Sequence, residues 1–233
     1  VENEHFCLAL CWELGLEVAQ SQIVDVDGIR ILAVERFDRL KASDGRLLRI
    51  PQEDFCQALS VPSIRKYNND GGPGIRECLG LLAGSDYAEE DRLAFLKAQI
   101  VFWLIGATDG HAKNFSLFLT PGGRYRMAPL YDIMSLQPNY AAKQLRRKEF
   151  RVSMAVGDNR NYAVESILPY HFLEDAKAAG MAQDRVRSLF GSLGETIEGA
   201  LERTVAIMPD DFPKLLFERI GDAMRKRSAK FLN

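Results

Sequence analysis

The apolar positions of the chain follow two rhythms, one helical and one alternating. Phe6, Cys7, Leu10, Cys11 and Leu14 recur at helical spacing, so residues 3–14 read as a helix that Gly15 ends. Residues 20–26 and 29–35 alternate around Asp27-Gly28, the pattern of a two-strand hairpin. The second strand delivers Glu35-Arg36-Phe37-Asp38. Residues 41–51 are polar and basic and read as a loop with a short strand near 47–50. Residues 52–60 read as a helix, with Gln52, Glu53 and Asp54 suited to its first turn. Asn68-Asn69-Asp70-Gly71-Gly72-Pro73-Gly74 is a sharp turn before a helix near 74–83. Leu93, Leu96, Ile100, Val101 and Leu104 space a longer helix, roughly 90–105, that ends at Gly106. Residues 115–120 and 124–128 flank Pro121-Gly122-Gly123 as a second hairpin. From about residue 165 the pattern is mostly helical, with breaks at Gly180, at Gly191 and between Pro209 and Pro213. The expected class is α+β, mainly α.

Composition narrows the function classes. With 233 residues and 47% apolar content, a sizeable core is available. A net charge of −2 does not write nucleic-acid affinity over the whole chain. Cys7, Cys11, Cys56 and Cys78 form no C-x-x-C pair, and only 3 histidines are present to complete a metal site. They read as buried free thiols in a reducing compartment, so a cytoplasmic protein is expected. No run is long enough to cross a bilayer and no targeting signal opens the chain, so no membrane partner is expected. The first residue is Val1, close to a helical pattern, and the chain is expected to begin part-way through a longer protein.

Candidate chemistry sits in the polar break Asp109-Gly110-His111-Ala112-Lys113-Asn114, between two apolar runs. An acid and an amide stand five positions apart, and Asp132 follows inside Ala128-Pro129-Leu130-Tyr131-Asp132-Ile133-Met134. Asp and Asn favour turns in any protein. An Asp in apolar surroundings is costly to bury without a partner or a metal, which adds weight to Asp132. Phosphoryl transfer to an alcohol needs this acid–amide–acid set. One carboxylate accepts the hydroxyl proton, while an amide oxygen and a second carboxylate hold magnesium against the nucleotide phosphates. The order helix, polar loop, hairpin, Asp is that of the large lobe of a protein kinase. A metal-dependent hydrolase using Asp109, His111 and Asp132 would leave Asn114 unexplained.

The stretch 104–116 closely resembles the catalytic loop of the HipA family of serine/threonine kinases, the toxins of bacterial toxin–antitoxin modules. Further matches run in order: Val34-Glu35-Arg36-Phe37-Asp38-Arg39, Pro51-Gln52-Glu53-Asp54, Lys66-Tyr67 with Asp70-Gly71-Gly72-Pro73-Gly74-Ile75, Tyr131-Asp132-Ile133, Pro169-Tyr170-His171-Phe172 and Asp211-Phe212-Pro213. The resemblance implies Asp109 as catalytic base and Asn114 and Asp132 as magnesium ligands. It implies ATP as the nucleotide, with His111 and Lys113 near its phosphates and Tyr131 beside it. Glu35, Arg36 and Phe37 would form the hinge that meets adenine through backbone groups. Residues 1–38 would then be the end of a small lobe plus the hinge, and residues 39–233 a mainly helical large lobe.

A glycine-rich lid and a phosphate-gripping lysine lie upstream of this region in the family, and neither is found here. Gly71-Gly72-Pro73-Gly74 is the only glycine cluster before the loop, and Pro73 lacks the amide donor a phosphate cradle uses. The chain alone is therefore expected to have little kinase activity. The resemblance implies a helix-turn-helix antitoxin of HipB type as partner and operator DNA contacted mainly through it. It implies an aminoacyl-tRNA synthetase as substrate and growth arrest as the result. Lys143, Arg146, Arg147, Lys148 and Arg151 form one basic patch, and Lys226, Arg227 and Lys230 another. Each reads as a solvated face or as a phosphate contact. The alternative is a catalytically inactive module that binds the antitoxin in transcriptional autoregulation.

Overall fold

The computed structural model describes residues 1–232. In chain order the elements are α1 (Glu2–Glu13), β1 (Ser21–Val26), β2 (Ile29–Val34), β3 (Arg39–Lys41), β4 (Leu47–Arg49), β5 (Gln52–Asp54), α2 (Phe55–Ala58), α3 (Ile75–Leu82), α4 (Ala88–Ile105), β6 (Ser116–Thr120), β7 (Arg124–Met127), α5 (Gln137–Ala141), β8 (Arg151–Val156), β9 (Asn161–Ala163), α6 (Pro169–Ala178), α7 (Gln183–Ala206) and α8 (Lys214–Ser228). Helices dominate, and the strands make a three-stranded sheet β5-β6-β7 and three two-stranded ribbons, so the class is α+β.

The core is built around α4. Its second half is so apolar that every residue from Ala98 to Ile105 is buried. Phe95 and Phe102 pack on Phe115 with ring centroids 4.9 and 5.9 Å away, and Phe55 joins at 5.6 Å. The Trp103 indole, fully buried, donates to the Val164 carbonyl at 3.0 Å. Helix α1 contributes Phe6, Cys7, Leu10 and Cys11 to the same core and packs against α7. All four cysteines are free and buried.

At the C-terminus of α4, Gly106 takes the left-handed conformation (φ 70°) that closes the helix and turns the chain into the polar loop. The Ile105 carbonyl, left over by the helix, accepts from the Ser135 hydroxyl at 2.5 Å. Ser135 is fully buried and is gripped by Asn3, which accepts its N–H at 2.9 Å and donates to its carbonyl at 2.8 Å. The start of α1, the end of α4 and the segment after Asp132 therefore meet at one residue.

The β1–β2 hairpin has the expected register, Val26 opposite Ile29, with Asp27 and Gly28 both at positive φ (52° and 77°). It stands off the core, with Val26, Ile29, Ile31 and Val34 exposed.

Four expectations need correction. Residues 52–54 are strand β5, paired with β6, and the helix is only Phe55–Ala58. Asp54 is the N-cap, accepting the Gln57 N–H at 2.9 Å, so the residues before it are free to join the sheet. Gly191 does not break α7, which runs 24 residues. The buried stripe Leu193, Ile197, Ala200, Leu201 and Thr204 outweighs the ~1 kcal/mol cost of a helical glycine. Residues 151–163, given no element in the sequence reading, form the β8–β9 ribbon. Arg227 is not a surface cation. It is 4% exposed and donates to the Leu104 carbonyl and the Gln137 amide oxygen at 2.8 and 2.6 Å.

Truncating the ring at the centre of the aromatic cluster tests this packing. Phe115→Ala is expected to lower unfolding stability by about 3–5 kcal/mol, seen as an earlier urea midpoint at unchanged slope.

Candidate active site

The loop after α4 makes the site. The Asp109 carbonyl accepts the His111 N–H at 2.8 Å, and a 3-10 turn follows at Ala112–Asn114. The Asn114 side-chain amide reaches back to the same carbonyl at 2.9 Å. That bond turns the NH2 end of the amide to the loop through one of its two donors, so the oxygen end of Asn114 faces elsewhere and takes no protein hydrogen bond among the described residues. Gly110 is packed so tightly that a Cβ there would sit 2.5 Å from the Phe102 ring.

The Asp109 side chain is exposed, and its Oδ1 accepts from the Tyr67 hydroxyl at 3.1 Å. Burial, and next the charge of Asp109, push the Tyr67 phenol above its usual pKa, so it remains a donor. His111 lies beneath, 2% exposed, with the Tyr67 ring edge-on at 5.1 Å. Its Nε2 is 3.8 Å from Asp109 Oδ1, beyond hydrogen-bond reach, and both ring nitrogens lack a partner among the described residues. Burial pushes the imidazole below its usual pKa, against the opposing pull of Asp109, and favours the neutral ring.

Hairpin β6–β7 carries the chain to Tyr131 and Asp132. The Tyr131 hydroxyl bonds Ser116 Oγ at 2.7 Å and the Lys113 carbonyl at 3.1 Å, which pins this segment to the loop. Asp132 itself is exposed, not buried among its apolar neighbours as its flanks suggested. Its backbone φ is 56°, a left-handed conformation that Asp adopts more readily than most residues with a Cβ.

Asp109, His111, Lys113, Asn114, Tyr131 and Asp132 line one cleft of about 530 Å³. Glu35 and Arg36 do not. Arg36 turns its guanidinium to the buried Asp38 at 2.7 and 2.8 Å. Phe37 reaches the cleft's wall indirectly, its ring 5.8 Å from that of Tyr131. The Glu35 N–H is taken by the Gln20 carbonyl at 2.8 Å, whereas the Phe37 N–H and the Glu35 carbonyl take no backbone partner among the described residues. The cleft also contains Arg49, Gln52, Asp54, Gln57 and Lys66. The motifs Pro51–Asp54 and Lys66-Tyr67 were singled out in the sequence without a role, and the fold brings both to the loop. Arg49 and Gln57, the other lining residues outside those motifs, the 104–116 stretch and Tyr131-Asp132, carried no signal beyond a charge and an amide.

Three carboxylates (Asp54, Asp109 and Asp132) and three cations (Arg49, Lys66 and Lys113) share the cleft. No three His, Cys, Asp or Glu side chains converge on a metal position among the described residues. Magnesium needs no such cage, since it keeps waters and takes one or two protein oxygens plus phosphate oxygens. The unpartnered oxygen of Asn114 and the exposed carboxylate of Asp132 fit that donor set. The open backbone groups at Glu35 and Phe37 fit an adenine edge.

Fold and cleft together define a protein of kinase-like architecture. The solved structure of the Helicobacter pylori proinflammatory kinase CtkA matches 98% of this chain and 82% of its own, with a TM-score of 0.63 at 15% identity. The profile of the HipA-like C-terminal domain matches residues 1–201, and the chain belongs to that family. "Putative kinase Y4mE" of Sinorhizobium fredii is 37% identical over 210 residues, 87% of this chain and 47% of that protein. The serine/threonine-protein kinase toxin HipA of Shewanella oneidensis is 27% identical over 222 residues, 90% of this chain and 49% of that protein. The chain thus spans about half the length of these curated relatives. The solved complex of Shewanella oneidensis HipA with HipB and operator DNA contains a chain that matches 99% of this one. The match covers 55% of that chain, with a TM-score of 0.86 at 24% identity. No helix among the described residues is long and apolar enough to cross a membrane.

Removing the Asn114 amide tests its part in the loop. Asn114→Ala is expected to cost about 1 kcal/mol of stability and to speed hydrogen exchange at the His111 and Asn114 amides.

Proposed function

We propose that this chain carries the catalytic loop and metal ligands of an ATP- and magnesium-dependent serine/threonine kinase of HipA toxin type. One observation carries the reading. Six residues separated by up to 23 positions, chosen from the sequence for phosphoryl transfer, line one cleft.

Asp109 takes the proton from the acceptor hydroxyl as that oxygen forms its bond to the γ-phosphorus and ADP leaves. Its exposed carboxylate and the hydrogen bond from Tyr67 suit that task. Asn114 and Asp132 would hold magnesium, which would supply charge screening at the phosphates. Lys113, exposed on the 3-10 turn, and neutral His111 face the phosphates. Phe37 and Tyr131 form an aromatic side to the adenine site, which the backbone at Glu35–Phe37 closes. In this scheme the β1–β2 hairpin belongs to the edge of a small lobe, and the helical body is the large lobe. The protein acts in the cytoplasm. Its partner is a HipB-type antitoxin, as in the Shewanella oneidensis complex, with operator DNA contacted mainly through the antitoxin. Its substrate is an aminoacyl-tRNA synthetase, and growth arrest follows.

Two substitutions separate binding from chemistry. Asp132→Ala is expected to weaken fluorescent-ATP binding by roughly tenfold in magnesium and little in its absence. In the complete protein, Asp109→Asn is expected to leave binding intact and to cut transfer of radiolabelled γ-phosphate by about 10²–10⁴-fold. Nucleotide binding that ignores both magnesium and Asp132 would overturn the reading. Normal binding with no transfer by the complete protein would favour an inactive antitoxin-binding module.

A further inference from the structure

The Asp109 side chain borders two cavities. One is the cleft just described. The other is a separate pocket of about 300 Å³ whose lining includes Tyr67, Asp70, Arg151, Ser153 and Tyr162. Asp109 is the one residue common to both linings. His111, Asn114 and Asp132 line only the first. A general base must touch the acceptor on one side and the phosphoryl group on the other, so a second cavity at Asp109 is the place for the acceptor.

This pocket is held rigidly. Buried Asn68 accepts from the Tyr162 hydroxyl at 3.0 Å, from Arg160 at 3.1 Å and from the Ala155 N–H at 3.3 Å. Its own amide donates to the Gly72 carbonyl at 2.9 Å. The Ser153 hydroxyl donates to the Thr108 carbonyl at 2.6 Å, next to Asp109. The β8–β9 ribbon is thereby fastened both to the loop and to the glycine turn. On this ribbon the Arg151 guanidinium lies over the Tyr162 ring, 4.8 Å from its centroid. It makes no ion pair among the described residues, and Asp70, which lines the same pocket, does not close on it. A guanidinium stacked on a pinned aromatic face keeps its edge donors for a planar anion. The Tyr67 hydroxyl, donating to Asp109 Oδ1, has the bond that an acceptor hydroxyl would make.

We propose that this pocket is the acceptor subsite. It takes a serine- or threonine-bearing segment, and Arg151 on its Tyr162 platform selects segments with a carboxylate side chain beside the hydroxyl residue. This deepens the kinase reading of Asp109 and rests on it.

The test is fluorescence anisotropy with two labelled peptides, identical except that aspartates or lysines flank a single serine. It uses the chain at about 50 mM salt, where screening is weak. The aspartate peptide is expected to bind roughly threefold more tightly, the scale of one exposed ion pair. Arg151→Glu is expected to reverse the order, while Arg151→Lys keeps it in weakened form. Arg151 is exposed, so both variants should fold, which circular dichroism checks. Equal binding, a lysine preference in the unaltered chain, an Arg151→Glu variant with unchanged order, or no binding to either peptide would each overturn the proposal. Magnesium-dependent nucleotide binding, measured on the same samples, reports on the kinase reading separately. Its loss with the peptide preference intact would sink the kinase reading and with it the acceptor role, leaving a peptide-binding pocket, and its presence without the preference would sink only the acceptor assignment.

Discussion

One buried hydroxyl holds the machinery together. Ser135 Oγ caps the last turn of α4 through the Ile105 carbonyl, and the Ser135 backbone is clasped by Asn3. A helix C-terminus leaves carbonyls that must find donors, and here the donor comes from the segment just past Asp132. Satisfying that carbonyl places the loop that starts at Gly106 and the segment that carries Asp132 side by side. The Tyr131 hydroxyl adds a second tie, to the Lys113 carbonyl. The Leu136 N–H, donating to the Gly106 carbonyl at 2.9 Å, and the Ala107–Ser135 bridge reinforce the same approach, so residues 109 and 132 come to face one cleft.

The polar groups of the cleft are poised by their surroundings. His111 has no partner for either ring nitrogen among the described residues, and burial biases its imidazole to the neutral form, which avoids adding a cation beneath Asp109. Asn114 commits a donor to the loop and keeps its oxygen available. Asp132 holds a left-handed backbone conformation. A conformation of that kind persists where surrounding structure over-determines it, and here the neighbours Tyr131 and Ser135 are both fixed by hydrogen bonds.

The long periodic elements were legible in the chain. Helices α1, α3 and α4 and both hairpins, β1–β2 and β6–β7, lie close to their expected bounds because their signals are local: apolar spacing, Gly at the helix ends, and Asp-Gly or Gly-Gly turns. Asp109, Asn114 and Asp132 stood out by spacing, and His111, Lys113 and Tyr131 by the resemblance, and these six line the cleft, whereas Glu35, Arg36 and Phe37 do not. Hidden were the features decided by distant partners. Strand β5 looks helical until β6 is beside it, and Arg227 looks solvated until the Leu104 carbonyl takes it inside. The β8–β9 ribbon is short, begins in a basic tract and owes its position to Asn68. The exposure of Asp132 was hidden as well, since apolar neighbours in sequence say nothing about where a left-handed residue points its side chain.

Gly110 carries a last consequence. Any larger residue there would collide with Phe102, whose ring packs on Phe115 in the aromatic cluster. A single added methyl would therefore act as a wedge between the working loop and its foundation. The injury would reach the bulk of the protein through the ring it displaced, so position 110 ties tolerance to sequence drift in a solvent-facing loop to the integrity of the deepest packing.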